Sequence, residues 1–162
     1  MYNWHLYLLF IIIDTFQGPQ ISKGQFDKIL SYIEIGKKEG AVVSYGGKRW
    51  GNKGYYVEPT VFTNCHNQMR IMREEIFGPV VAIAKFKTIE EAIDIANDSD
   101  YGLAGSVYTT NLDTAITVTN EVKTGTMWVS NRNVYLCFLK SDTWSGKKKN
   151  KREFLLVCFN LY

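Results

Sequence analysis

Through residues 17–129 the chain alternates short apolar runs with amphipathic stretches. Phe26, Ile29, Leu30 and Ile33 recur at helical spacing, and Ser22 with Gln25 supplies a capping box at the entrance. Gly36 and Gly40 fall near the expected stop. Residues 41–45 read as a strand, with Gly46-Gly47 as a turn. Residues 55–62 are extended, because Pro59 excludes helix and biases Glu58 toward β.

The second half repeats the alternation. Residues 80–86 form an apolar strand. Thr88 and Glu91 make a second capping box, after which Ile89, Ala92, Ile93 and Ala96 share one helix face. Residues 103–108 are a strand, and Leu112, Ala115, Ile116, Thr119 and Val122 a further helix face. Gly125 punctuates, and residues 126–129 are a last strand. Strands and helices in strict alternation with short connections predict an α/β fold with a parallel, doubly wound sheet. No internal repeat is visible, and a length of 162 residues predicts one domain with a real core.

Both ends differ in character. Residues 6–13 are unbroken apolar, too short for a bilayer, which takes about 20 residues. The run has no basic flank or small-residue cleavage site to make it a signal peptide, and its β-branched content also suits a buried strand. From Ser130 on, apolar bursts at 134–139 and 154–159 flank the basic run 147–152 without a clear period. That run could serve nuclear import or polyanion binding, but a solvated tail is the favoured reading.

Charge and cysteine use exclude some functions. The net charge is +3, and residues 140–153 alone hold six cations against two anions, so the body is near neutral. It therefore has no electrostatic footprint for nucleic acid. Cys65, Cys137 and Cys158 form neither a disulfide framework nor a CxxC pair, which fits a reducing compartment. With only His5 and His66, no metal site is expected. Cys65 beside His66 invites a catalytic dyad, but neighbours on an extended chain point apart, so Cys65 is expected to be structural.

The most informative stretch is residues 73–80, where Glu74 and Glu75, Phe77 and a Gly78-Pro79 turn precede the apolar strand. Such a loop can hold a ribose and a flat cofactor ring at a strand entrance. Five strings in order, at 17–20, 54–62, 74–80, 101–104 and 125–129, resemble the C-terminal half of the catalytic domain of an NAD(P)-dependent aldehyde dehydrogenase. The wording is closest to the acetaldehyde and retinaldehyde enzymes of cytosol and mitochondria.

The resemblance implies an oxidoreductase that oxidises an aldehyde to a carboxylic acid with NAD, or NADP in its place. In the family a cysteine thiolate attacks the aldehyde, a hydride passes to the nicotinamide, and water hydrolyses the thioester. Glu75 matches the carboxylate that accepts from the nicotinamide ribose hydroxyls, and Phe77 the ring beside the nicotinamide. Glu74 is expected to be a solvated neighbour. Gly78 is read as allowing close backbone approach and Pro79 as fixing the exit.

The family's nucleophile, its general base and its phosphate-holding region would lie upstream of residue 17, so no catalytic residue is assigned. The resemblance divides the chain into an unmatched segment 1–16, a partial catalytic domain 17–129 and an unmatched tail 130–162. A truncated product, inactive alone, is therefore expected. The alternative is a non-catalytic piece that associates with full-length aldehyde dehydrogenase subunits through an unpaired sheet edge. The closest subgroup points to the cytoplasm, with the mitochondrion as the other location, and to no membrane partner.

Overall fold

The computed structural model describes residues 17–129 and the backbone of Phe154–Leu156. The apolar run 6–13, Ser130, the basic cluster, Cys137 and Cys158 lie outside the described residues. The chain divides into two units, residues 1–84 and 85–162, where its length predicts one domain. The physical reason lies in the packing: the buried apolar side chains gather in two clusters that share no member.

The first unit carries α1 (Lys23–Lys38), β1 (Val42–Tyr45), β2 (Thr60–Cys65), the single turn α2 (Arg70–Arg73) and β3 (Val80–Ala84). Ser22 caps α1, its Oγ accepting from the Gln25 amide at 3.2 Å. The other half of the expected capping box does not form, because the Gln25 side chain is drawn to carbonyls 51 and 52 residues away. Phe26, Ile29 and Ile33 face inward and join Phe62, Met69 and Ile71 in one core. Burying each such side chain contributes about 1.5–3 kcal/mol. Gly36 lies inside α1 rather than at its stop. Its missing side chain admits Phe62 and Ile71, whose atoms would come within 3.0 Å of a Cβ there.

The first sheet has the order β1-β2-β3. β2 and β3 run parallel, with Thr60 opposite Val80 and Phe62 opposite Ala82, while β1 joins β2 antiparallel. A bulge between Phe62 and Cys65 includes Asn64 at φ 58°. It shifts the alternation by one, which turns Cys65 inward although strict period two would bury Asn64.

The second unit carries α3 (Ile89–Asn97), β4 (Ala104–Tyr108), α4 (Leu112–Glu121), β5 (Thr126–Val129) and β6 (Phe154–Leu156). Thr88 Oγ1 accepts from the Glu91 amide at 3.2 Å, and Glu91 Oε2 accepts in return from Lys87, one residue before the cap. β4 and β5 are parallel, in register from Ala104 opposite Thr126. β6 lies antiparallel on the other edge of β4, giving the order β5-β4-β6. The fold is thus α/β with parallel strand pairs, and each sheet also takes one antiparallel strand.

The expected face of α4 is displaced. Ala115 and Val118 are buried with Val122, whereas Leu112 is 72% and Ile116 51% exposed. Apolar residues occur on two adjoining faces of this helix, and the face that meets Ile93, Ala96 and Val107 is the one containing Val118. Asn97 ties the helix ends together, donating to Glu121 O at 2.9 Å and accepting from the Lys123 amide at 2.8 Å. Among the described residues no helix is long and apolar enough to cross a membrane.

Candidate functional site: a loop held against one helix face

The loop from Glu74 to Pro79 joins α2 to β3. Glu74 ends α2 in extended conformation, at φ −115° and ψ 148°. Ile76 is buried in the core, so the loop is anchored at its middle. Pro79 closes it, and its carbonyl accepts from the Thr60 amide at 2.7 Å, starting the β2–β3 ladder.

One face of α1 meets this loop residue by residue. Gln25, Lys28, Ile29 and Tyr32 are spaced i, i+3, i+4, i+7 and so share that face. Gln25 Nε2 donates to the Phe77 carbonyl, and to that of Ile76 at 3.3 Å. Lys28 Nζ donates to the Glu75 carbonyl at 3.1 Å and lies 5.4 Å from the centre of the Phe77 ring. Ile29 packs against Gly78. Tyr32 Oη donates to Glu74 Oε2 at 2.5 Å. The three polar side chains meet the loop in reverse order, Gln25 at 76–77, Lys28 at 75 and Tyr32 at 74.

Glu74 is not the solvated neighbour that the sequence leads one to expect. Arg70 grips it with both arms of the guanidinium, Nε to Oε1 at 2.7 Å and a terminal nitrogen to Oε2 at 2.8 Å. The Arg70 hydrogen bonds, followed by that from Tyr32, hold its carboxyl down at about 2. Hydrogen bonding to that carboxylate raises Tyr32 above its ordinary value, so the phenol stays protonated. Glu39 Oε2 accepts from the Arg70 amide at 2.9 Å and satisfies the first turn of α2.

Glu75 is the contrast. It is half-buried, and its carboxylate has no hydrogen bond or ion pair with another described residue. Adjacent side chains on extended backbone project to opposite sides, so the brace on Glu74 sends Glu75 the other way. Two residues on, Phe77 has φ 57° and a 42% exposed ring. A left-handed, exposed aromatic costs about 1–3 kcal/mol and persists only where its surroundings over-determine it. Here the Gln25 and Lys28 bonds to the main chain of residues 75–77 supply that constraint.

Both expected site residues therefore lie on one constrained loop. Gln25, Lys28, Tyr32 and Arg70 escaped the sequence reading as parts of this site. The spacing of Gln25, Lys28 and Tyr32 on α1 was visible, but their partners 42 to 52 residues away were not, and Arg70 pairs with Glu74 four residues on. Gly78 does allow a close approach, and the neighbour that uses it is Ile29.

Cys65 is buried, and burial pushes its thiol up, so it offers no thiolate at neutral pH. His66 beside it is exposed. Among the described residues no three metal-ligating side chains converge.

Comparison with known proteins agrees with this α/β frame. The family profile described as "Aldehyde dehydrogenase family" matches residues 12–148. An aldehyde dehydrogenase of Davidiella tassiana is 60% identical over 120 residues, which is 74% of this chain and 24% of the relative. "Aldehyde dehydrogenase, cytosolic 1" of Rattus norvegicus is 58% identical over 132 residues, or 82% of this chain and 26% of the relative. A crystal structure of betaine aldehyde dehydrogenase from Staphylococcus aureus in complex with NAD+ superposes with a TM-score of 0.70 at 47% identity, covering 74% of this chain and 24% of that one. An NAD+ complex of an aldehyde dehydrogenase from Bacillus cereus gives 0.69 at 51% identity, with 71% and 23% covered. The chain belongs to the aldehyde dehydrogenase family. It spans about a quarter of the length of the curated relatives it matches.

Proposed function

We propose that this chain forms one wall of the nicotinamide half of an NAD site, in a protein that oxidises an aldehyde to a carboxylic acid. The observation that carries this reading is the Glu75 carboxylate, which has no partner among the described residues, two residues from the exposed Phe77 ring on a loop whose main chain is fixed. A carboxylate with two open acceptor oxygens suits the vicinal hydroxyls of a ribose. An exposed ring in a constrained position suits a flat heteroaromatic. NAD, when bound, supplies the hydride acceptor, and NADP carries the same nicotinamide ribose. This chain's part is to bind and orient: Glu75 accepts from the ribose, Phe77 limits the ring's travel, and α1 keeps both in place.

Among the described residues no nucleophile of the reaction is assigned, since buried Cys65 does not suit the role. No aldehyde-dependent NADH formation is expected from the purified chain. Titration with nicotinamide mononucleotide, followed by NMR, tests the binding role. Shifts at Phe77 that vanish in Glu75→Gln support it. Equal binding by that variant, or no shift in the parent, overturns it. NADH production by the chain, lost in Glu75→Ala, would overturn the inactive reading.

A second reading is association with full-length aldehyde dehydrogenase subunits in the cytoplasm. It is favoured by β5, the end strand of its sheet among the described residues, whose Trp128 and Val129 are 40% and 46% exposed. An open strand edge invites pairing with another chain. Co-purification with a full-length enzyme supports it, and a monomer that elutes alone argues against it.

A further inference from the structure

We propose that Tyr32 is a positioning residue of the candidate site, acting through Glu74 to set the direction of Glu75. This deepens the nicotinamide-wall reading and rests on it for its functional meaning.

The two adjacent carboxylates, Glu74 and Glu75, divide the labour. Arg70 and Glu74 are four residues apart on one turn of chain, so their ion pair is local and can travel with the loop. Tyr32 is different. Its hydroxyl is the bond that ties the Glu74 side chain to α1, across 42 residues of sequence. Glu74 Oε2 receives both Tyr32 and one arm of Arg70, so the carboxylate has little freedom to swing. Because Glu74 is extended, fixing its side chain on the α1 side fixes the neighbouring side chain on the other. Lys28 then pins the Glu75 carbonyl, so the main chain of Glu75 is held while its carboxylate has no partner among the described residues. The Tyr32 ring is itself held between cations, with Lys28 at 5.7 Å and Arg70 at 5.6 Å from its centre. A preorganised acceptor binds better than a mobile one, because the ordering cost is already met.

Tyr32→Phe separates the parts. It keeps the ring between Lys28 and Arg70, keeps the Arg70–Glu74 pair, and removes the hydroxyl that reaches Glu74 and Arg70. Glu74→Gln removes the charge from the other end of the same bond. Both are compared with the parent in the full chain, by amide heteronuclear NOE at residues 75–77, by thermal unfolding, and by titration with nicotinamide mononucleotide.

Three results are expected for Tyr32→Phe: lower NOE values at residues 75–77, mononucleotide affinity reduced about tenfold, and an unfolding midpoint near that of the parent. A merely structural tyrosine would lower the midpoint and leave the local order and affinity in step with it. Parent-like NOE values at residues 75–77 in both variants overturn the proposal, whatever the mononucleotide does. If the loop loosens but Glu75→Gln binds the mononucleotide as the parent does, the positioning role of Tyr32 holds and the nicotinamide reading falls. If Tyr32→Phe does not fold, Glu74→Gln decides on the NOE values at residues 75–77 and the mononucleotide affinity.

Discussion

Gly78 lies so close to Ile29 that a Cβ built on it would come within 2.4 Å of Ile29 Cδ1 and 2.5 Å of Cγ1. Ile29 has no exposed surface and sits in the main core, so its side chain has nowhere to retreat. A methyl group at residue 78 must therefore move the loop or the helix. Gly78→Ala is expected to lower the unfolding free energy by about 1–3 kcal/mol, the usual cost of overpacking. Urea unfolding measures it, and a parent-like midpoint would show that loop and helix are not in this contact.

The Glu74 brace predicts an acid dependence with a definite sign. A carboxyl held below its ordinary value favours the fold above that value, and the contribution disappears as pH falls through the folded value. For Glu74 the window runs from 4.5 down to about 2. The parent should unfold at a higher temperature than Glu74→Gln at neutral pH, and the gap should close across that window. The side chain is 39% exposed, so solvent screening limits the gap to a few degrees at most. A gap constant from pH 7 to 2 would mean that the carboxylate charge is not what stabilises.

Local chemistry was legible in the sequence; distant partners were not. Ser22 and Thr88 cap their helices as read, because the amide each oxygen serves is three residues away and any chain with that spacing can use it. The Gln25 side chain had two possible partners, its own cap or the Phe77 carbonyl, and only the folded chain decides between them. Gly36 reads as a helix stop until Phe62 and Ile71 are seen to occupy the space where its side chain would be. The 74–80 string placed Glu75 and Phe77 on one loop. Nothing in it showed that Glu74 would be bound by Arg70 and Tyr32 while the Glu75 carboxylate had no partner among the described residues.

The two apolar faces of α4 make a further test, since period alone cannot choose between adjoining stripes. Val118 is 1% exposed and Ile116 51%. Val118→Ala should cost about 2 kcal/mol through lost burial and an unfilled space. Ile116→Ala should change stability by no more than about 0.5 kcal/mol, as exposed positions usually do. Thermal unfolding of the two variants side by side reads out which face packs. The reverse order would restore the face that the sequence first indicates.

Phe77 tests whether the loop keeps a costly conformation for a purpose. Its φ of 57° is unfavourable for a side chain with a Cβ and ordinary for glycine. Its ring is 42% exposed, so deleting it forfeits only part of the burial that a core aromatic provides. Phe77→Gly removes the steric strain while the Gln25 and Lys28 bonds to the main chain can persist. Stability is expected to rise by about 1 kcal/mol, less whatever the ring contributes over Lys28. Affinity for nicotinamide mononucleotide should fall in the same variant. Opposite movement of stability and binding is what strain retained for function predicts. If stability and binding both fall, Phe77 is there for packing, and its left-handed conformation is a consequence of the turn rather than a provision for a ligand.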